Sequence, residues 1–393
     1  MASPRETCAT GIRTRCPLFT EPTDAVHTPA AELSPEWGVR FPHLDQGASH
    51  AHLDHPPRGL RARRRVAHPH RQRHQRVCRR RPGQGRALLS FAVIGDIPYG
   101  ADQIAAFPGW IQQINAADPQ FTIHVGDIKN GSTRCDDPYY SMIKDDFGTF
   151  TGPLVYTPGD NEWTDCHRAN NGAYHPLERL AFDRAVFFTH PGTSLGQNPM
   201  TVTSQAAAGF PENVAFRRQG VDFSVIHVIG SNDDLQPWTG IGETTATPEQ
   251  VAEEHSRIGN AIDQVRASFA TARQKQDRAV AIYLQADMFD PTYTPTWNDV
   301  SAFQPLVQAL VTESSSFDGD VYLFNGDSHL YNSDQPLASG SHWLSTYGVT
   351  GAADNLHRIT VDGSSNNKDW LKVTINRPGA GSTLSWERVP YTS

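Results

Sequence analysis

Four times in this chain a short apolar run stops at a glycine and the next residue is an aspartate. FAVIGD ends at Asp96, FTIHVGD at Asp127, PLVYTPGDNEW runs through Asp160, and VYLFNGDSH runs through Asp327 to His329. Short apolar runs bounded by turn residues read as strands buried on both faces, and in open α/β sheets ligands gather beyond the carboxyl ends of such strands. Glycine at the end of the run lets the backbone turn sharply and approach a ligand closely. One Gly-Asp pair after a strand is ordinary turn chemistry. Four of them, in a chain that alternates strand and helix patterns, point to one shared site. Four carboxylates brought together repel and cannot all stay ionised unless cations lie between them, so convergence implies bound metal.

The pattern between these strand ends predicts a helix over 101–117, interrupted or kinked near Pro108, and others over 139–147 and 176–188. Strands are expected at 214–218 and 221–229, the second running into GSNDD. Ile258, Ile262, Val265 and Phe269 then follow helical spacing within a long amphipathic helix over 247–278. A strand at 279–284 leads to Gln285, a helix spans 303–311, and strands at 357–361, 370–375 and 384–389 close the chain. The expected fold class is α/β, with two mixed β-sheets flanked by helices.

Composition divides the 393 residues in two. The first ninety hold sixteen Arg, no Lys and seven acids, whereas the remainder holds eighteen basic and thirty-five acidic residues. Residues 1–88 are rich in Arg, His and Pro and keep no helical or strand period. They are expected to be a disordered leader or a mis-started segment, and residues 89–393 the folded domain. Within the leader, HAHLDH (His50 to His55) matches a dimetal signature, but no buried strand precedes it. The acidic body suits neither nucleic acid nor an anionic membrane surface, and no stretch is long and apolar enough to span a bilayer. No signal peptide opens the chain. Cys135 and Cys166 each follow a candidate ligand loop closely. A disulfide tying the two loops together and a pair of free thiols are both open.

With Asp96, Gly126-Asp127, Gly159-Asp160-Asn161-Glu162, Gln285 and Gly326-Asp327-Ser328-His329 in this order, the chain resembles the calcineurin-like metallophosphoesterases from about residue 88 onward. The resemblance implies a sandwich of two mixed sheets and a two-metal centre at the strand ends. It implies Asp96 and His329 as ligands of one ion and Asp127 as the bridge. Asp160, Gln285 and Asp327 then serve the other ion, Asn161 stands where a histidine assists the leaving group, and Glu162 is its acidic partner. It further implies a small phosphorylated substrate and, although no leader is recognisable, export.

The departures matter as much as the matches. Pro98 stands where the family pattern has a histidine ligand, and neighbouring Tyr99 is a candidate phenolate in its place. Oxygen donors replace most imidazoles, which favours Mn²⁺ or Mg²⁺ over Zn²⁺. Asn161 can donate a hydrogen bond but no proton. His167 is therefore a candidate acid, Arg168 a candidate phosphate ligand, and His124 a core residue. Three readings remain open: a slow or specialised phosphoester hydrolase, a catalytically silent relative kept for binding or structural work, and a polyanion-binding protein driven by the basic arm of residues 1–88.

Overall fold

The computed structural model describes residues 88–392. The Arg-rich segment, its HAHLDH stretch and the nature of residues 1–87 lie outside the described residues.

One sheet has five strands, in the order β12-β11-β1-β2-β3. Its members are β1 (Leu89–Ile94), β2 (Thr122–His124) and β3 (Leu154–Tyr156), parallel to one another, with β11 (Asp369–Ile375) and β12 (Leu384–Pro390) added antiparallel. The other has seven, in the order β4-β5-β6-β7-β8-β10-β9. There β6 (Val221–Val225), β7 (Ala279–Tyr283), β8 (Asp320–Asn325) and β10 (Leu356–Thr360) are parallel, and β4 (Thr203–Gln205), β5 (Phe210–Arg218) and β9 (Asn332–Asp334) complete the edges antiparallel.

The two sheets pack face to face, with helices on both outer faces. Alternation along β1 shows why: Phe91 and Val93 enter the core between the sheets, while Ala92 and Ile94 join the layer beneath the helices α1 (Gly100–Ala116), α2 (Asp137–Phe147) and α3 (Pro176–Phe187). Strands buried on both faces have no polar side to show, hence the continuous apolar runs. The inner layer is largely aromatic, with Phe91 stacked on Phe121 at 4.7 Å, Phe216 on Phe223 at 4.8 Å and Tyr283 on Phe324 at 4.8 Å. On the far side, helix Pro248–Lys275 lays Ile258, Ile262, Val265 and Phe269 against Ile282 and Leu323 of the larger sheet. Its start is fixed by a capping box between Thr247 and Gln250 and by Pro248 in the first turn.

Three expectations are adjusted. Pro108 does not end α1, because Phe107, Ile111 and Ile114 anchor it to the sheet on both sides of the proline. The strand expected over 221–229 stops at Val225, because the Asn213 side chain takes the His227 amide at 2.7 Å in place of a backbone partner. Edge strands β4 and β9 are three polar residues each and carry no apolar alternation to announce them.

Candidate metal centre

The turns after β1, β2 and β8 need unusual backbone. Asp96, Asp127, Asp327 and His329 adopt φ of 54°, 59°, 73° and 59°. Such values are sparsely populated for residues with a side chain and cluster at functional sites. The close approach also needs glycine: a Cβ on Gly326 would stand 2.2 Å from Asp96 Oδ2. The turns after β1, β2 and β3 supply Asp96, Asp127 and Asp160 from the smaller sheet. Those after β7 and β8 supply Gln285, Asp327 and His329 from the larger one.

The structure brings these side chains together. Coordinating atoms of Asp96, Asp127 and His329 all lie within 4.8 Å of one another. His329 Nε2 is 3.4 Å from Asp96 Oδ1. The Tyr99 hydroxyl donates to Asp127 Oδ2 at 2.8 Å and lies 3.3 Å from His329 Nε2, so it occupies the middle of the group. A Cβ on Gly230 would stand 2.8 Å from Asp160 Oδ2 and 3.0 Å from Asp327 Oδ1, so those two carboxylates close over one bare glycine. Gln285 accepts the Gly230 amide at 2.6 Å and turns its Nε2 toward Asp160 Oδ1 at 3.4 Å. As placed it orients Asp160 and Gly230.

Asn161 is spent on its neighbours. Its Nδ2 donates to Asp127 Oδ2 at 2.7 Å and to the Tyr99 hydroxyl at 2.9 Å, leaving no amide hydrogen for a leaving group. Glu162 turns into the protein, where its Oε1 accepts the Ile128 amide and the Tyr156 hydroxyl, each at 3.0 Å. His167 accepts the Gly240 amide on Nδ1 at 3.0 Å, and burial together with the Arg168 charge pulls its pKa to about 4. It is therefore neutral near pH 7 and poorly suited to the acid role expected of it. Arg168, paired with Asp165 at 2.6 Å, keeps 42% of its side chain exposed and flanks Asn161 across Gly131. Cys135 and Cys166 form a disulfide, Cα–Cα 5.8 Å, joining the loops after β2 and β3. His124 is a core residue, with Nε2 3.0 Å from the Ile97 carbonyl.

Electrostatics agree with a site built for cations. Burial pushes the Asp96 carboxyl well up despite the Asp327 amide it accepts, and the charges of Asp160 and Glu162 add to the shift. Burial and then Asp160 raise Asp127 and Asp327 in the same way. The Asp96 Oδ2 atom is buried with no hydrogen-bond partner. A buried carboxylate oxygen with nothing to bind is costly, and a divalent ion there would relieve it, so the residues fit the metal they were expected to hold.

Sequence reasoning missed several participants. Ser231, in the turn after β6, donates to Asp160 Oδ2 at 2.9 Å. Lys129 is buried behind the loops, donating to the Asn161 carbonyl at 2.7 Å, and burial pulls its pKa to about 8 against the nearby carboxylates. Asp287 offers its amide to Asp327 at 3.0 Å. The GSNDD run, lying where the strand expected over 221–229 would end, was the available signal.

Two mixed sheets meeting at their strand ends, with the acidic motifs in the expected order on those ends, decide the architecture. The fold is a sandwich of two mixed β-sheets with helices on both outer faces. Among solved structures the chain is similar to a dimetal phosphatase from Danio rerio, at 11% identity and a TM-score of 0.43, covering 77% of this chain and 99% of that one. It is similar to GAP50, the anchor in the inner membrane complex of Plasmodium, at 11% identity and 0.39, covering 78% and 90%. It is also similar to the purple acid phosphatase PPD1 from Lupinus luteus seeds, at 12% identity and 0.41, covering 77% of this chain and 52% of that one. No sequence-family profile matches the chain. No curated protein matches it in sequence.

Proposed function

We propose that this protein is a metal-dependent phosphoester hydrolase acting on a small phosphorylated substrate. The observation that carries the reading is the grouping of Asp96, Asp127 and His329 within 4.8 Å around a buried carboxylate oxygen without a partner. Asp96, Asp127 and His329, with Tyr99 beside them, would hold one divalent ion, and Asp160 and Asp327 a second that shares Asp127. Mn²⁺ or Mg²⁺ suits this oxygen-rich set better than Zn²⁺. When bound, such ions supply neutralisation of phosphate charge and acidification of water.

The chain's own residues do the rest. Half-exposed Arg168 offers its planar fork to phosphate oxygens at the edge of the site. Asn161 and Tyr99 hold the Asp127 carboxylate in place. With neither Asn161 nor His167 able to deliver a proton, general-acid help worth about 10²–10⁴ in rate is missing. Esters with stable leaving groups are the preferred substrates. No helix among the described residues is long and apolar enough to cross a membrane. The Cys135–Cys166 bridge favours an oxidising compartment, in keeping with export.

A silent, ion-binding relative is the second reading, favoured by the engagement of both Asn161 amide hydrogens. Assay of the full chain on aryl phosphate mono- and diesters, with Mn²⁺ or Mg²⁺ and with chelator, separates the two. Turnover lost to chelator and to Asp127→Ala is the expected result. Ion binding without turnover of any ester would leave the silent reading standing.

A further inference from the structure

Resting on that assignment, we infer that the ester group of the substrate carries a planar aromatic ring, which seats against Trp297, Tyr293 and Leu330 at the rim of the centre. Among the described residues, the large hydrophobic side chains left most exposed are Leu88, at the edge of the described chain, and Tyr293, Trp297 and Leu330, at 51%, 52% and 48%. The last three belong to the two loops that carry site residues. Leu330 directly follows His329, while Tyr293 and Trp297 follow Gln285 in the long connection after β7.

Both loops are tied to the centre. Asp287 donates its amide to Asp327 at 3.0 Å and accepts the Ser328 hydroxyl at 2.7 Å. Trp297 begins a single helical turn fixed by Thr296, whose amide and hydroxyl both reach Asp299 at 2.7 Å. That turn and the one after it rest on Asn232, which accepts the Ala302 amide at 3.0 Å and donates to Ser301 at 3.2 Å. Asn232 is the neighbour of Ser231, which holds Asp160. Burial pushes the Tyr293 phenol up, and the charges of Asp290, Asp299 and Asp327 add to it.

Exposed rings cost solvation, and beside a polar site they mark the apolar half of a ligand pocket. The chemistry asks for the same partner. A centre with no proton to give needs a leaving group stable as an anion, and an aryl oxide is far more stable than an alkoxide. In the step, a water oxygen forms the new bond to phosphorus and the ester P–O bond breaks with its electron pair on the aryl oxygen. The protons of water pass to solvent and to the product phosphate.

The test is calorimetric titration of the full chain in Mn²⁺ with phenylphosphonate, methylphosphonate and the methylenephosphonate analogue of AMP, none of which is hydrolysed. Wild type is expected to bind phenylphosphonate about tenfold more tightly than methylphosphonate. The ratio falls toward one in Trp297→Ala and Leu330→Ser and recovers in Trp297→Phe. Tighter binding of the nucleoside analogue than of phenylphosphonate overturns the aryl-ester reading; the reverse order supports it. Phenylphosphonate binding no more tightly than methylphosphonate, or a ratio unchanged in both variants, overturns the inference. Failure of the wild type to hydrolyse phenyl phosphate in Mn²⁺, with the binding ratio intact, instead overturns the hydrolase reading.

Discussion

Ser231 is held in place at a conformational cost. It opens a run of four residues in left-handed conformation, Ser231, Asn232, Asp233 and Asp234, at φ of 56°, 53°, 52° and 71°. L-residues there cost roughly 1–2 kcal/mol each. Side chains offset this: Asp233 accepts the Ile229 amide at 3.0 Å and pairs with buried Arg257, while Asp234 accepts the Trp238 indole at 2.9 Å. The reward is a hydroxyl aimed at Asp160. Removing a hydrogen bond that orients a ligand lowers metal affinity about 10–100-fold. Ser231→Ala is expected to weaken one of two Mn²⁺ sites by that factor and spare the other, read by Mn²⁺ titration followed by electron paramagnetic resonance. Uniform weakening of both sites would refute the assignment. A second residue-scale prediction concerns Glu254, buried in the long helix, whose Oε2 accepts no hydrogen bond and has only the exposed His255 Nε2 at 3.6 Å. Burial raises its pKa from 4.5 to about 8, and the Asp233 charge adds to this. A carboxyl raised on folding loses stability as pH climbs from the unfolded value through the folded one. Glu254→Gln should therefore raise Tm at pH 9 and leave it nearly unchanged at pH 4.

Among elements, the loops after β2 and β3 matter most, since they carry Asp127 and Asp160 and are stapled by Cys135–Cys166. Closing a loop of this length contributes about 3–4 kcal/mol by chain entropy. The Cys135→Ala/Cys166→Ala double variant should melt at lower temperature, and reductant should reproduce the loss in the wild type while leaving the variant unaffected. Strands such as β1 and β8 were legible because burial on both faces leaves a short apolar run with a sharp end. Edge strands β4 and β9 were not, since their hydrogen bonds are made by backbone with no apolar signature. The two cysteines were visible at the right places, but their oxidation is a matter of three-dimensional approach that spacing could not decide.

Across the molecule, the convergence of Asp96, Asp127, Asp160, Asp327 and His329 was legible because strand ends in parallel sheets share one side of the layer. What the sequence could not express was where the amide groups point. Gln285 and Asn161 stand at ligand and donor positions, yet each turns its hydrogens onto a neighbouring carboxylate or hydroxyl, a choice set by contacts between sheets. Lys129 and Asp287 were hidden for the same reason, since their partners belong to other loops. The centre draws half its side chains from each sheet, and a few hydrogen bonds, such as those from the Asp327 amide to Asp96 and from Ser231 to Asp160, tie the halves directly, while the wider spacing between the sheets is fixed elsewhere. That gauge is set by the stacked rings of Phe91, Phe121, Phe216, Phe223, Tyr283 and Phe324, and thinning this filling would detune the chemistry from a distance, as shaving a spacer misaligns the jaws it separates.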